Sequence, residues 1–420
     1  MDSFQLNDAA RGARAGTPAA VRVRFLAVAQ EDRKAPLFML MDIQDLRQRI
    51  DAIDRELVDL YCKRMETSRL IGEYKRQNNL PVRDSERERA LLNKVVDLAG
   101  EENEQGIRAL YQLILDQSRL RQQMDARPQS ALGQMIGETF ARTPSLFPEK
   151  APVACQGVEG AYSQLACEKI FRYPSITYFR TFADVFTAIE NGQCRYGILP
   201  IENSLAGSVN SVYDQMIRHH CYIVRSARIR IDHTLLALPG TKPDRIREVC
   251  SHEQALQQCS AFLAARPEWR VNVCSNTAAA ARMVRDSGRT DMAAISSAHC
   301  APLYGLDILE TGIQNNSNNH TRFICISKKP EIFPGANRTS LMLVLQDRPG
   351  ALYQLLSRFN AQGINLTKLE SRPIPGRDFE FMFYFDLDVS VASPSFTRLI
   401  EELDATLDQF TYLGSYSEVI

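Results

Sequence analysis

An arginine interrupts an apolar stripe. From Leu46 the chain places Ile50, Ile53, Leu57 and Leu60 at alternating four- and three-residue steps, and the same spacing next reaches Arg64, then Thr67, Ile71 and Tyr74. Such spacing predicts a helix that buries one face against partner helices. A cation on that face is costly unless an anion neutralises it. Arg64 therefore snorkels to a bundle rim, pairs with a buried carboxylate, or binds an anionic ligand. The helix is predicted over 42–77, ending where Asn78-Asn79-Leu80-Pro81 breaks it, with further helices over 84–99 and 104–123. Three helices, one of them very long, cannot close a compact core alone. A continuous apolar seam predicts an intertwined dimer.

The 420 residues leave room for further domains, at roughly 100–200 residues each. Fifty basic and fifty acidic side chains give no net charge. That balance lacks the basic signature of nucleic-acid or anionic-membrane partners. No apolar run approaches the ~20 residues of a membrane helix. Ten cysteines are scattered without a CxxC pair, which reads as reduced thiols in a cytoplasmic protein. Cys250, His252 and Cys259 match no zinc module, and no metal or cofactor is expected. Residues 1–40, rich in Ala and Arg, read as a disordered extension, or as the product of an upstream start codon with Met41 the true start.

The predicted organisation is a helical domain at 41–126, a Pro- and Gly-bearing linker at 127–150, an α/β domain at 151–330 and an α+β domain at 338–420. In 151–330 short apolar runs (153–155, 196–199, 234–237, 293–295) alternate with helical stretches. That texture predicts parallel sheets with helices on both faces, in two lobes around a cleft. The last segment reads β-α-β-β-α-β, a ferredoxin-like pattern.

On the first helix Arg64 and Lys75 are eleven residues apart and share a face, whereas Arg47 lies about 25 Å from Arg64 along the axis. Arg47 can join such a site only from a dimer partner. Asp84, Arg87 and Glu88 line one face of the second helix, and Ser118 and Gln122 one face of the third. Each set alone also reads as a solvated, ion-paired surface. Together they supply guanidinium forks for carboxylates, donors for an ether oxygen and acceptors for a hydroxyl. With no Cys–His or Ser–His pair, the cage suits a pericyclic rearrangement of a small dicarboxylate, which needs a folded conformer and charge stabilisation. The run Leu46-Arg47, Ile53-Asp54, Lys63-Arg64, Tyr74-Lys75, Pro81-Val82-Arg83-Asp84-x-x-Arg87-Glu88 and Ser118-x-x-x-Gln122 resembles the all-helical chorismate mutases. The resemblance implies catalysis by these residues in an intertwined homodimer, with Arg47 acting in the partner's site.

Four segments stand at strand–helix junctions or a strand start, common site locations in α/β folds. They are Gln156-Gly157-x-x-Gly160-Ala161-Tyr162-Ser163, Pro200-Ile201-Glu202-Asn203-Ser204, Ser251-His252-Glu253-Gln254-Ala255-Leu256-x-Gln258, and Asn319-His320-Thr321-Arg322-Phe323. The first lacks the third glycine of a dinucleotide fingerprint. In this order they resemble prephenate dehydratase. The resemblance makes Thr321 catalytic, through a hydrogen bond or proton relay to a departing hydroxyl. It places Ser163, Glu202, Asn203, Ser204, Ser251, Gln258, Asn319 and Arg322 around the substrate, with Glu202 a possible ultimate acid and Arg322 either a carboxylate partner or a structural ion pair.

Arg348-Pro349-Gly350-Ala351-Leu352 and Glu370-Ser371-Arg372-Pro373 resemble the two ligand motifs of the ACT domain appended to such enzymes. Those seven residues, Gly350, Ala351, Leu352, Glu370, Ser371, Arg372 and Pro373, are thereby expected to hold phenylalanine as a feedback inhibitor. Because the catalytic motifs finish at Phe323, a chain ended near Lys329 is expected to stay active. The whole resembles the bifunctional mutase–dehydratases of phenylalanine biosynthesis: chorismate and prephenate as substrates, no cofactor, a homodimer or higher homo-oligomer, no nucleic acid and no membrane. The alternative is a two-lobed ligand sensor with an ACT domain and no turnover.

Overall fold

The computed structural model describes residues 42–124, 130–345, 347–374, 381–407 and 409–420. The extension expected over 1–40 lies outside them. The chain divides into two compact units within its first helix, and these described residues fall into 42–64 and 65–420.

Helix α1 (Ile43–Gln77) carries the predicted stripe. In the first unit Ile50, Ile53, Leu57 and Leu60 are each more than half exposed, so that face is left bare. In the second unit α2 (Ser85–Ala99) and α3 (Glu104–Met124) follow. A Cβ on Gly72 of α1 would stand 2.8 Å from the Gln122 Cα of α3, so glycine permits a close approach there. Part of the expected linker is instead α4 (Ala131–Arg142). Ser130 caps it by accepting from Gly133 N at 3.1 Å and donates its hydroxyl to Asp404 at 2.9 Å. Ile136, Leu132 and Met135 bury against the C-terminal domain. Gly133 and Gly137 obscure that apolar face in the sequence.

The first lobe contains β1 (Lys150–Gln156), α5 (Tyr162–Ile170), β2 (Tyr173–Phe179), α6 (Phe182–Glu190), β3 (Tyr196–Asn203), β4 (Gly207–Ser208), α7 (Asn210–Arg218) and β5 (Tyr222–Arg230). The second contains β6 (Thr234–Ala237), β7 (Glu248–His252), α8 (Glu253–Gln258), α9 (Ser260–Ala264), β8 (Arg270–Cys274), α10 (Thr277–Ser287), β9 (Met292–Ser296), α11 (Cys300–Tyr304) and β10 (Asp307–Thr311), after which β11 (His320–Ser327) returns to the first. The C-terminal domain runs β12 (Arg338–Val344), α12 (Ala351–Ala361), β13 (Asn365–Pro373), β14 (Phe381–Asp388), α13 (Pro394–Thr406), β15 (Phe410–Tyr416) and β16 (Glu418–Val419).

The two lobe sheets have the orders β2-β1-β3-β11-β5-β16 and β10-β6-β9-β7-β8. Neither is all-parallel as expected. β11 lies antiparallel to both β3 and β5, and β6 antiparallel to both β9 and β10. The second lobe is inserted between β5 and β11, so the returning strand enters its sheet reversed. The C-terminal sheet, order β13-β14-β12-β15, is antiparallel throughout.

The boundary near residue 330 is not a clean one. β16 pairs in parallel with β5, and Met342, Tyr384, Leu413 and Tyr416 share one core with Phe186, Tyr213 and Ile324. Gly414, at φ 137°, lies so close to Ile223 that a Cβ would stand 2.1 Å from its carbonyl oxygen. Arg322 of β11, buried, forms an ion pair with the fully buried Asp386 of β14, which also accepts from Ser340. A chain ended at Lys329 would leave this arginine and its surrounding apolar wall uncovered, so the expected independence of the two-lobed domain does not follow. Asp386→Ala, which leaves the buried guanidinium facing the more distant Glu202 at 3.7 Å, is expected to cost about 3–5 kcal/mol of stability. Urea unfolding followed by circular dichroism checks this, and an unchanged midpoint would contradict it.

Candidate active site

A cavity of about 510 Å³ opens between the lobes. Register places Thr321 of β11 opposite Asn203 of β3 at its wall. The Asn203 amide is oriented by backbone: its Oδ1 accepts from Leu205 N at 3.1 Å and Ala206 N at 2.9 Å. Its Nδ2 therefore faces the other way, donating to Thr321 Oγ1 at 2.9 Å and Asn319 Oδ1 at 2.8 Å. Thr321 Oγ1 is thus an acceptor from protein, and its own proton is left for a ligand. Asn319 Nδ2 donates to Gln258 Oε1 at 3.0 Å, and that oxygen also meets His233 Nε2 at 2.8 Å.

Among the helices that begin at this cavity are α5 and α10. Ala161, Tyr162 and Ser163 line it at the start of α5, and Ser275, Asn276 and Thr277 at the start of α10. Their free amides and dipoles favour an anion. Ser163 Oγ donates to Gln156 O at 2.6 Å. The Tyr162 hydroxyl donates to Asp232 O at 2.7 Å, and burial pushes its phenol well above the ordinary value, so it stays protonated. Sequence reasoning missed Ser275, Asn276, Thr277 and His233. The first three were legible: Asn276 is an N-cap, accepting from Ala279 N at 2.7 Å ahead of an Ala-rich helix. His233 carried no local signal.

Several predicted ligands of this cleft face elsewhere. Alternation on β11 turns Arg322 away from Thr321, into the pair with Asp386. Glu202 binds Lys368 of β13 at 2.7 Å and borders a separate polar pocket with Lys368 and Glu370. Ser251, fully buried, donates to Ile295 O at 2.6 Å, and Ser204 to Asn318 O at 3.3 Å. Asn319 and Gln258 orient their neighbours, and Gln258 also borders the cavity.

In the helical segment Arg47 and Arg64 lie on the first unit, and the remaining predicted residues on the second. Lys75 Nζ donates to Val82 O at 2.6 Å, and Asp84 caps α2 by accepting from Arg87 N at 3.0 Å, with Arg87 exposed. Glu88 is held by Arg119, a residue not singled out from sequence, at 2.6–2.7 Å. Ser118 and Gln122 are buried. Ser118 donates to Ile114 O at 2.8 Å, and Gln122 Oε1 has no hydrogen-bond partner among the described residues.

In the C-terminal domain Gly350, at φ 82°, starts α12 ahead of Ala351 and Leu352, with open space where a Cβ would stand. The second motif divides by strand alternation. Ser371 and Pro373 are exposed, while Glu370 accepts from Ser208 at 2.6 Å and Arg372 pairs with Asp214 at 2.9 Å. Glu370 and Arg372 therefore tie this domain to the two-lobed one. No group of three or more His, Cys, Asp or Glu among the described residues has the arrangement of a metal site.

Family models match three successive segments: chorismate mutase type II over 46–123, prephenate dehydratase over 153–331 and the ACT domain over 339–405. The bifunctional chorismate mutase/prephenate dehydratase of Escherichia coli strain K12 is 33% identical over 381 residues, covering 88% of this chain and 95% of its own. Among solved structures, the prephenate dehydratase of Arthrobacter aurescens in complex with L-Phe is 26% identical with a TM-score of 0.58, covering 63% of this chain and 90% of that one. GqqA, a quorum-quenching acylase, is 32% identical with a TM-score of 0.58, covering 63% and 97%.

Proposed function

The chain belongs to the family of bifunctional chorismate mutase/prephenate dehydratases, and we propose that the hydrogen-bond chain ending at Thr321 is the centre of its dehydratase activity. The enzyme serves phenylalanine biosynthesis, rearranging chorismate to prephenate and converting prephenate to phenylpyruvate. In the second reaction the bond to the ring carboxylate breaks, its electrons enter the ring, and carbon dioxide and the ring hydroxyl depart as the ring becomes aromatic. Aromatisation supplies the drive, so the protein's task is to polarise the leaving oxygen and hold the carboxylates. The observation that carries this reading is the orientation of Asn203, which leaves the Thr321 proton for the leaving hydroxyl. Acyl transfer, the chemistry of the GqqA neighbour, has less support, because the Ser163 hydroxyl is engaged with Gln156 O rather than with a base.

The mutase reaction is assigned to Arg47, Arg64, Lys75, Asp84, Arg87, Glu88, Ser118 and Gln122, as an electrostatic cage around a folded dianion. The bare stripe Ile50, Ile53, Leu57 and Leu60 supports a homodimer in which a second α1 covers it and Arg47 enters the partner's site. The ACT domain is ferredoxin-like and binds phenylalanine through Gly350, Ala351, Leu352, Ser371 and Pro373, while Glu370 and Arg372 pass its state to the dehydratase. No described helix is long and apolar enough to cross a membrane, and a cytoplasmic location is proposed from the chemistry of the pathway.

Three measurements test these assignments. Thr321→Ala is expected to lose nearly all dehydratase activity while keeping the mutase, so that prephenate accumulates from chorismate. Thr321→Ser keeps more, and equal loss in both variants would point to the methyl group instead. Arg64→Ala is expected to remove about 2.7–4 kcal/mol of transition-state stabilisation from the mutase alone. Mixing these chains with Arg47→Ala chains should restore part of the mutase rate, and no recovery after confirmed subunit exchange rules out the shared site. Millimolar phenylalanine is expected to lower the wild-type dehydratase rate, and an unmoved rate removes the feedback assignment.

A further inference from the structure

Prephenate is a dianion at neutral pH, yet the described residues lining the cleft include no arginine and no lysine. The groups there that can become cations are His233 and His252. His252 Nδ1 is committed: it accepts from Gln254 N at 3.3 Å and caps α8. Protonation would abolish that cap.

His233 is in the opposite condition. Its tautomer follows from the amide chain. The two backbone N–H groups on Asn203 Oδ1 orient that amide, Asn203 orients Asn319, and Asn319 donates to Gln258 Oε1. An amide oxygen only accepts, so His233 Nε2 must carry the proton that meets it at 2.8 Å. The lone pair is therefore on Nδ1, which is buried with no hydrogen-bond partner among the described residues, on a residue 2% exposed. A buried bare acceptor is satisfied only by a donor or by a proton.

We propose that His233 takes up a proton at Nδ1 as the dianionic substrate enters and, as an imidazolium, binds one of its carboxylates. The inference rests on the dehydratase reading above.

In the empty cleft burial holds His233 below its ordinary 6.5, against the opposing influence of Gln258 and Asp232, so it is neutral at pH 7. The groups described around it are Asp232 beside it in the chain, Tyr162 of α5 edge-on at 6.5 Å, Gln258 of α8, and Gln314, whose Oε1 accepts from His233 N at 2.9 Å and whose Nε2 donates to Asp232 Oδ1 at 3.0 Å. A carboxylate in the cleft that His233 lines adds a negative charge beside the ring and favours the imidazolium. The sign follows: the free site is neutral, the occupied site is charged, and binding takes up one proton. Affinity is fullest below the free-site value and is lost as pH rises.

The test uses the full-length chain. Between the free-site and occupied-site values, the KM for prephenate is expected to rise about tenfold per pH unit while kcat stays level. His233→Asn should show a raised KM without that slope, with the mutase rate and thermal midpoint of the same preparation reporting its folding. Independently, calorimetry of prephenate binding to the Thr321→Ala chain, in two buffers of different ionisation heat, should show uptake approaching one proton per site. The uptake should vanish when His233→Asn is added. No uptake at His233, or a His233→Asn chain that keeps the wild-type KM profile, overturns the proposal. If His233→Asn does not fold, His233→Gln takes its place in both measurements, and absence of proton uptake by the Thr321→Ala chain overturns the proposal by itself. Wild-type chain that fails to consume prephenate at all overturns the dehydratase reading as well, whereas normal turnover without proton uptake overturns only the role of His233.

Discussion

The buried ion pair between Arg322 and Asp386 sets the organisation of the two-lobed and C-terminal domains. Two charges in a protein interior cost several kcal/mol each in lost hydration, and only close mutual contact and further hydrogen bonds offset that. Asp386 meets this demand with Arg322 and Ser340. Because Arg322 sits on β11 and Asp386 on β14, neither domain can leave the other without uncovering a charge. The same strand carries Thr321 on its opposite face. The sheet of the ACT domain is thus pinned to the back of the strand whose Thr321 lines the cleft.

That attachment is reinforced where the ligand motif of the ACT domain meets the cleft wall. Glu370 accepts from Ser208, Lys368 donates to Ser208 at 3.0 Å and to Glu202, and Ser208 itself lines the cavity between the lobes. β13 is thus joined through hydrogen bonds to a residue of the cavity wall.

The cleft itself shows how orientation can be imposed without charge. Two backbone amides fix Asn203, and each following amide inherits its direction, through Asn319 and Gln258 to His233. The chain of amides runs from the Thr321 hydroxyl at one end to the His233 imidazole at the other. The helical segment has a different character: its exposed stripe on the first unit has the form of an interface, and its arginines are dispersed along a helix too long to gather them around one ligand.

Periodicity, turn residues and motifs carried much of the architecture. The 4-3 spacing located α1, and Asn78-Asn79-Leu80-Pro81 its end. The β-α-β-β-α-β order of the last segment was visible in its strand and helix patterns, because amphipathic period is a local property. Thr321 and Asn203 were legible as residues at strand ends. What each side chain faces was not local. Whether Arg322 meets a substrate or Asp386 depends on a strand more than sixty residues later in the chain. Whether Glu202 is an acid or the partner of Lys368 depends on how two domains dock. β11 returns antiparallel to β5 after a whole inserted lobe, and the helix at 131–142 has an apolar face that the C-terminal domain helps to cover. His233 illustrates the limit: a lone histidine acquires a tautomer, and so a chemistry, only when tertiary structure lines up the amides that dictate where its proton sits.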